Sequence, residues 1–252
     1  GDPELLTIKG KKVMKKADVV IYTSSLVNDE ILNYAGNAEI YSSAGMDLQE
    51  IIKVMEKAAA NNQIVARVHT GDPSIYGAIQ EQMDILDEKN IKYEIIPGVS
   101  SFQAAAAAVK REYTLPDVSQ TVILTRREGR TPVPEKEKLD KLASHQASMA
   151  IFLSVQMIEE VVADLLTEYP ETTPAAVVEK ASWEGEQVIK GKLSNIAVKV
   201  KEAGIRKTAM ILVGEFLDSD YSRSKLYDKK FSHHYREGKD TKKAEDDCYE
   251  KE

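Results

Sequence analysis

Cysteine is nearly absent: Cys248 is the one cysteine among 252 residues. Neither a disulfide framework nor a cysteine-based zinc cluster can therefore organise the chain. No apolar run approaches the ~20 residues that a membrane-spanning helix needs. Excess positive charge is missing as well. The net charge of −7 argues against a general nucleic-acid binder and requires any anionic ligand to meet a local basic patch. A G-x-x-x-x-G-K-[ST] phosphate loop does not occur, nor does a complete G-x-G-x-x-G, so generic nucleotide chemistry has no motif behind it. The sequence as given opens without a basic-then-apolar leader, and the cytoplasm is the expected compartment. Of the four histidines, His233 and His234 are adjacent in a charged stretch. A metal site is one reading there; a solvated face is the one the composition favours.

What is present suits an α/β protein. Hydrophobic residues make up 42%, enough to build a sizeable core in one large domain or two small ones. Short apolar segments alternate with helical patterns almost throughout, which predicts largely parallel strands. Residues 18–22 (DVVIY), 64–68 (IVARV) and 93–96 (YEII) read as strands in the first half. Between them Leu48, Ile51, Ile52 and Met55 recur at helical spacing, with Asp47 and Glu50 placed for a capping box. An alanine-rich helix over 103–109 is expected to pack closely on a sheet. Pro116 breaks the pattern, and strands resume at 121–125, 150–153, 175–178, 187–190 and 209–213. The expected organisation is an N-terminal domain over 1–115, a C-terminal domain over 116–237, and a disordered polar tail over 238–252.

Three glycine-centred loops stand out. Gly1-Asp2-Pro3-Glu4-Leu5-Leu6-Thr7 leads into a helix. Thr70-Gly71-Asp72-Pro73-Ser74-Ile75-Tyr76-Gly77 and Pro97-Gly98-Val99-Ser100-Ser101 each follow an apolar segment and precede a helix. Ligands of parallel α/β sheets bind at the carboxyl ends of strands, where glycine allows close backbone approach and freed N–H groups can donate. Any one Gly-Asp-Pro turn is weak evidence, because most are only turns.

In order and together, the three loops resemble the tetrapyrrole (corrin and porphyrin) methylase family, over residues 1 to about 227. In that family a first strand and the start of its glycine loop would precede Gly1. Local wording is similar to the branch that methylates C-11: YTSSLV at 22–27, HTGDPSIYGAIQEQ at 69–82, LPDVSQTVILTR at 115–126, EGRTPVP at 128–134 and SKLYD at 224–228. The Gly-Lys-Arg-Ala-Gly-type segment of the uroporphyrinogen-III branch is replaced by Ser-Ser-Ala-Gly at 42–45.

The resemblance implies two α/β domains with mostly parallel sheets and a cleft between them. It implies S-adenosyl-L-methionine as methyl donor, a corrinoid precursor (precorrin-4 or its cobalt form) as acceptor, a homodimer, and no protein-bound metal. It assigns the donor to Thr70, Gly71, Asp72, Ile75, Ser100 and Ser101, with Leu153, Ala181, Thr208 and Ala209 lining the adenine pocket. Asp2 is the carboxylate placed to remove a proton from the macrocycle, and Tyr22 can orient the ring. Arg126, Arg127 and Arg130 end a strand before a Thr-Pro-Val-Pro loop, and arginines pair with carboxylates in bidentate fashion. They are expected to hold the polycarboxylate substrate. Two alternatives remain open from these residues: another branch, such as a precorrin-2 C-20 or uroporphyrinogen-III methylase, and a non-catalytic donor-binding module.

Overall fold

The structure, a computed structural model, describes residues 1–238. The expected tail beyond Gly238, with Cys248, lies outside these. Strand β1 (Val19–Tyr22) is buried at every position and forms the centre of a parallel three-stranded sheet. It lies between β2 (Glu39–Ser42) and β3 (Val65–Val68). A strand covered on both faces must be apolar throughout, as VVIY is. Strand β2 was not expected: its EIYS is mostly exposed at an edge and lacks an alternating apolar pattern.

Helix α1 (Ile8–Met14) starts where Thr7 Oγ1 accepts the Gly10 N–H at 3.2 Å and covers one face of this sheet, Met14 packing with Val20 and Ala66. On the other face lie α2 (Leu48–Ala60) and α3 (Gln80–Glu88), whose Ile51, Ile52, Met55 and Leu86 pack on Val19 and Ile21. The expected capping box opens α2: Glu50 N–H donates to Asp47 Oδ1 and Asp47 N–H to Glu50 Oε2, both at 2.9 Å.

Residues 93–96 correct the sequence expectation. They pair with no strand among the described residues. A groove of ≈ 570 Å³ separates them from β3, lined by Leu6, Val13, Met83, Leu86 and Ile96 among others. A strand is defined by its ladder, and here no neighbouring backbone stands within reach. Tyr93 and Ile95 consequently stay 42% and 43% exposed.

The second sheet has the order β4-β5-β8-β6-β7. Its strands are β4 (Val122–Arg126), β5 (Ser148–Phe152), β6 (Pro174–Glu179), β7 (Gln187–Lys192) and β8 (Ala209–Val213). It is mixed: β4 and β5 run parallel, β6 and β7 form a hairpin, and β8 is antiparallel to both β5 and β6. One face packs against α5 (Leu139–Ala143), α6 (Ile158–Leu165) and α7 (Ile196–Glu202). The other carries α4 (Ser101–Val109), whose Ala105 and Val109 meet Ala150, Ala176 and Leu212. The alanine-rich helix therefore packs on the second sheet, although it precedes the expected boundary near residue 115. This strand order brings the ends of β4, β5 and β6 and the start of β8 to one edge, with Arg126 opposite Phe152 and Glu179 opposite Ala209.

After the second sheet, residues 219–238 fold on themselves. Arg236 Nη2 donates to the carbonyls of Leu226 and Asp228, each at 2.7 Å, and His233 Nδ1 accepts the Tyr235 N–H at 3.2 Å.

Candidate active site

The second and third glycine loops are built against each other. Gly71 has φ +67°, and a Cβ on Gly98 would stand 2.2 Å from the Gly71 carbonyl oxygen. Only glycine permits that approach at 98. Asp72 joins the two loops: Oδ1 accepts from the Ser74 N–H at 2.9 Å and from the Ser74 hydroxyl, and Oδ2 accepts the Gly98 N–H at 2.8 Å. The Ser74 hydroxyl, followed by the Gly98 amide, holds the Asp72 carboxyl below its usual range. Ser100, buried, caps the start of α4, its N–H donating to Gln103 Oε1 at 2.9 Å. Thr70 lies exposed at the rim, and Ser101 opens α4.

The same loop reaches the second sheet. Ile75 and Ala181 both pack against the core on the α4 face, and the Tyr76 ring lies 5.1 Å from that of Phe152, the last residue of β5. Tyr76 has φ +54°, an uncommon conformation for a residue with a side chain. Leu153 follows with φ +55° and is 70% exposed, an apolar side chain presented at a strand end rather than packed in the core. Beside it the Lys180 N–H donates to the Thr208 carbonyl at 2.7 Å, fixing Ala181, Thr208 and Ala209 along one edge; Lys180, Ser182 and Thr208 all have positive φ. Such strained residues gather at ligand sites when the surroundings over-determine them. The 70–77 loop thus meets the 97–101 loop on one side, through Gly71 against Ser100 and Asp72 against Gly98, and the end of β5 on the other, through Tyr76, so that a glycine-backed, hydroxyl-bearing segment stands next to an apolar one. That suits a ligand with a charged amino-acid end and a flat apolar base.

The first loop meets the second sheet beside Ala181. Asp2 N–H donates to Ser182 Oγ at 3.2 Å, and the Asn28 side chain donates to the Gly1 carbonyl at 3.2 Å. Asp2 Oδ1 accepts the Glu4 N–H at 2.7 Å and caps the short turn that follows. Asp2 Oδ2 has no hydrogen-bond partner among the described residues. Tyr22 is buried at the end of β1; burial, then a hydrogen bond with Asp29, raises its pKa.

The three arginines separate. Arg126 folds onto its own loop, Nη2 donating to the Pro132 carbonyl at 2.7 Å and Nη1 to that of Thr131 at 3.2 Å. It borders a cavity of ≈ 350 Å³ with Tyr76, Val133 and Glu137. Arg127 turns to α6, its Nε 2.6 Å from Asp164 Oδ2. Arg130 is exposed with no carboxylate within 4 Å among the described residues. Sequence reasoning named no role for Tyr76 or Phe152, which link the sheets. Their signal was available only as an aromatic inside a Gly-Asp-Pro loop and another at a strand end.

The model of the family described as Tetrapyrrole (Corrin/Porphyrin) Methylases matches residues 1–197. The chain belongs to this family. It is 61% identical over 239 residues to a cobalt-precorrin-4 C(11)-methyltransferase of Methanocaldococcus jannaschii, covering 94% of this chain and 92% of the relative. Among solved structures it is similar to a cobalt precorrin-4 methyltransferase of cobalamin biosynthesis at TM-score 0.85 and 46% identity, covering 87% of this chain and 92% of that one. It also resembles a Thermus thermophilus uroporphyrin-III C-methyltransferase complexed with S-adenosyl homocysteine, at TM-score 0.73 and 25% identity, over 86% of this chain and 94% of the other. Among the described residues of this methylase no helix is long and apolar enough to cross a membrane.

Proposed function

We propose that this protein transfers a methyl group from S-adenosyl-L-methionine to C-11 of precorrin-4 or cobalt-precorrin-4, a step of cobalamin biosynthesis, as a cytoplasmic homodimer. The observation that carries the reading is the joining of residues 70–77 to residues 97–101 through Asp72 and to the end of β5 through Tyr76, in a chain 61% identical to an enzyme of that name. The donor supplies a methyl on a positively charged sulfur, already a good leaving group. The protein's task is then alignment within a closed cleft. Thr70, Gly71, Asp72, Ser100 and Ser101 hold the amino-acid and ribose portions. Asp72, kept ionised by its three hydrogen bonds, both shapes the loop and offers negative charge to an ammonium group. Leu153, Ala181, Thr208 and Ala209 flank the purine, with Ile75 behind. Asp2, through the oxygen that caps nothing, takes the proton that the macrocycle gives up, and Tyr22 orients the ring. Arg126 and Arg130 meet substrate carboxylates, while Arg127, ion-paired with Asp164, shapes the loop that carries them.

The deciding experiment is turnover with purified precorrin-4 and cobalt-precorrin-4 side by side, the position of the new methyl being assigned by NMR. Methylation at C-11 is expected. A product methylated at another carbon would move the protein to a different branch of the family. Failure to transfer label to any tetrapyrrole, with donor binding intact, would leave a binding module.

A further inference from the structure

We propose that Arg67 and Gln82 are positioning residues for the methyl donor: they brace the far end of the 70–77 loop without touching the ligand. The proposal rests on reading that loop as the donor site. Between β3 and α3 the backbone enters the left-handed region at Gly71 (φ +67°), Tyr76 (φ +54°) and Ala78 (φ +48°). Two of these carry side chains, and residues stay in that region only where neighbours hold them. The loop is folded tightly on itself, since a Cβ on Gly77 would meet the Pro73 carbonyl oxygen at 2.2 Å. Its front end is pinned by Asp72, which holds the Ser74 and Gly98 amides.

The back end is pinned differently. Gln82, 7% exposed on the first turn of α3, donates through Nε2 to the Ala78 carbonyl at 2.9 Å. Its Oε1 accepts from Arg67 Nε at 3.4 Å. Arg67 in turn donates through Nη1 to the carbonyls of Ile21 at 3.3 Å and Val68 at 3.2 Å, at the ends of β1 and β3. No carboxylate lies within 4 Å of this partly buried guanidinium among the described residues. A partly buried cation with no counter-charge would ordinarily be a liability. Here its planar fork is satisfied by backbone carbonyls and one amide oxygen, which only arginine can reach in that geometry. The result is a chain of hydrogen bonds from the sheet, through Arg67 and Gln82, to the strained residue that follows Gly77. Gln82 also has its amide oriented by Arg67: with Oε1 facing the guanidinium, Nε2 must face Ala78.

Between these two anchors the loop projects Ile75 and Tyr76 onto the second sheet, where Tyr76 meets Phe152. Losing the back anchor frees Tyr76 and Ala78 to leave the left-handed region, so that the loop presents a different surface to the donor. A buried polar pair that merely stabilises the core would have no such selective consequence.

The variant that separates the two roles is Gln82→Glu. It keeps the size of the side chain and its acceptor toward Arg67, but a carboxylate cannot donate to the Ala78 carbonyl. The expected result is a melting temperature no lower than that of the wild type. S-adenosylhomocysteine affinity by calorimetry should fall about ten-fold, the scale of one lost hydrogen bond. KM for S-adenosylmethionine should rise by a similar factor and KM for the tetrapyrrole should not move. Hydrogen exchange across residues 74–79, measured without ligand, should quicken in Gln82→Glu and in Gln82→Met. Wild-type donor affinity in Gln82→Glu, or unchanged exchange in both variants, overturns the proposal. So does a uniform rise of both KM values with a falling melting temperature, the mark of general destabilisation. If the wild-type protein itself fails to bind S-adenosylhomocysteine, the donor-site reading falls instead.

Discussion

In the five-stranded sheet β5 is buried at every residue, β6 at all but its ends and β8 at all but its first residue, and helices cover both faces; in the three-stranded sheet only β1 is buried throughout. Both regions place left-handed residues at the site, but they hold them by different means. Lys180 and Thr208 are joined by a backbone hydrogen bond across β6 and β8, two strands embedded in the large core, and Leu153 directly follows the fully buried β5. Tyr76 and Ala78 lie beyond β3, a strand with an open groove along one side, in a loop held by discrete hydrogen bonds, Asp72 accepting the Ser74 and Gly98 amides and Gln82 donating to the Ala78 carbonyl. Core packing is distributed over many weak contacts, whereas a hydrogen-bonded brace can be removed by changing one atom. The second sheet is thus suited to be a fixed wall for the donor, and the loops of the first to adjust around it.

The sharpest way to break this comparison is at the residue that bridges the two regions. Asp2 donates its N–H to Ser182 of the second and leads into the helix that covers the first. Asp2→Asn is expected to lower the turnover number by about 10²–10⁴, the usual cost of losing a general base. Asparagine still caps the turn at Glu4, so both binding constants should stay near wild type. Pre-steady-state kinetics with calorimetric binding would check both halves. Near-normal turnover would return Asp2 to a capping role and leave alignment alone to explain catalysis.

A second pair of variants compares the two cores directly. Ile211 is fully buried in β8, while Leu86 on α3 borders the groove. Large-to-small changes cost about 2–5 kcal/mol, with more where surroundings cannot collapse. Ile211→Ala should fall in the upper part of that range and Leu86→Ala near its lower end. Urea denaturation followed by far-UV circular dichroism would measure both. Equal losses would mean that the first core is as tightly knit as the second.

The features legible in the sequence were those written locally. The apolar run of β1, the helical stripe of α2 and the Asp47–Glu50 box are each contained within a few residues. The three loops could be ordered by resemblance, and in the structure Asp72 ties the second to the third while Asp2 meets Ser182. What was not legible depended on partners distant in the chain. Residues 93–96 carry a strand's pattern, but pairing is decided by what lies alongside, and the groove lies there. Strand β2 has the opposite character, a ladder partner without an apolar pattern. Arg127 read as part of an anion-binding run, whereas Asp164, 37 positions away, is its partner. Arg67 lies inside the strand read at 64–68, and nothing local announces that Gln82 and two carbonyls receive it.

The smallest expected effect concerns His69, which sits between the brace and the loop. Burial first, and then the Arg67 charge, lower its pKa from the ordinary 6.5 to about 4; a hydrogen bond with the Gly77 backbone opposes them without prevailing. Histidine is therefore neutral in the folded protein at neutral pH, when the first sheet's loop must be intact. The sign follows from proton uptake: between about pH 6.5 and 4 the unfolded chain binds a proton at this site that the folded one does not, so stability is retained above 6.5 and declines as pH falls, levelling off below about 4. The whole shift corresponds to about 3 kcal/mol, and partial solvent exposure reduces it to about 1–2 kcal/mol. Asp72 has the other depressed pKa in this loop, and its contribution is lost only at lower pH, beneath the ordinary carboxylate range. The two windows can be resolved. Chemical denaturation at intervals from pH 7.5 to 4 should show a falling stability that His69→Gln flattens, since glutamine takes up no proton in that window. A slope that survives in His69→Gln would assign the pH dependence to groups elsewhere and remove His69 from the set that holds the loop.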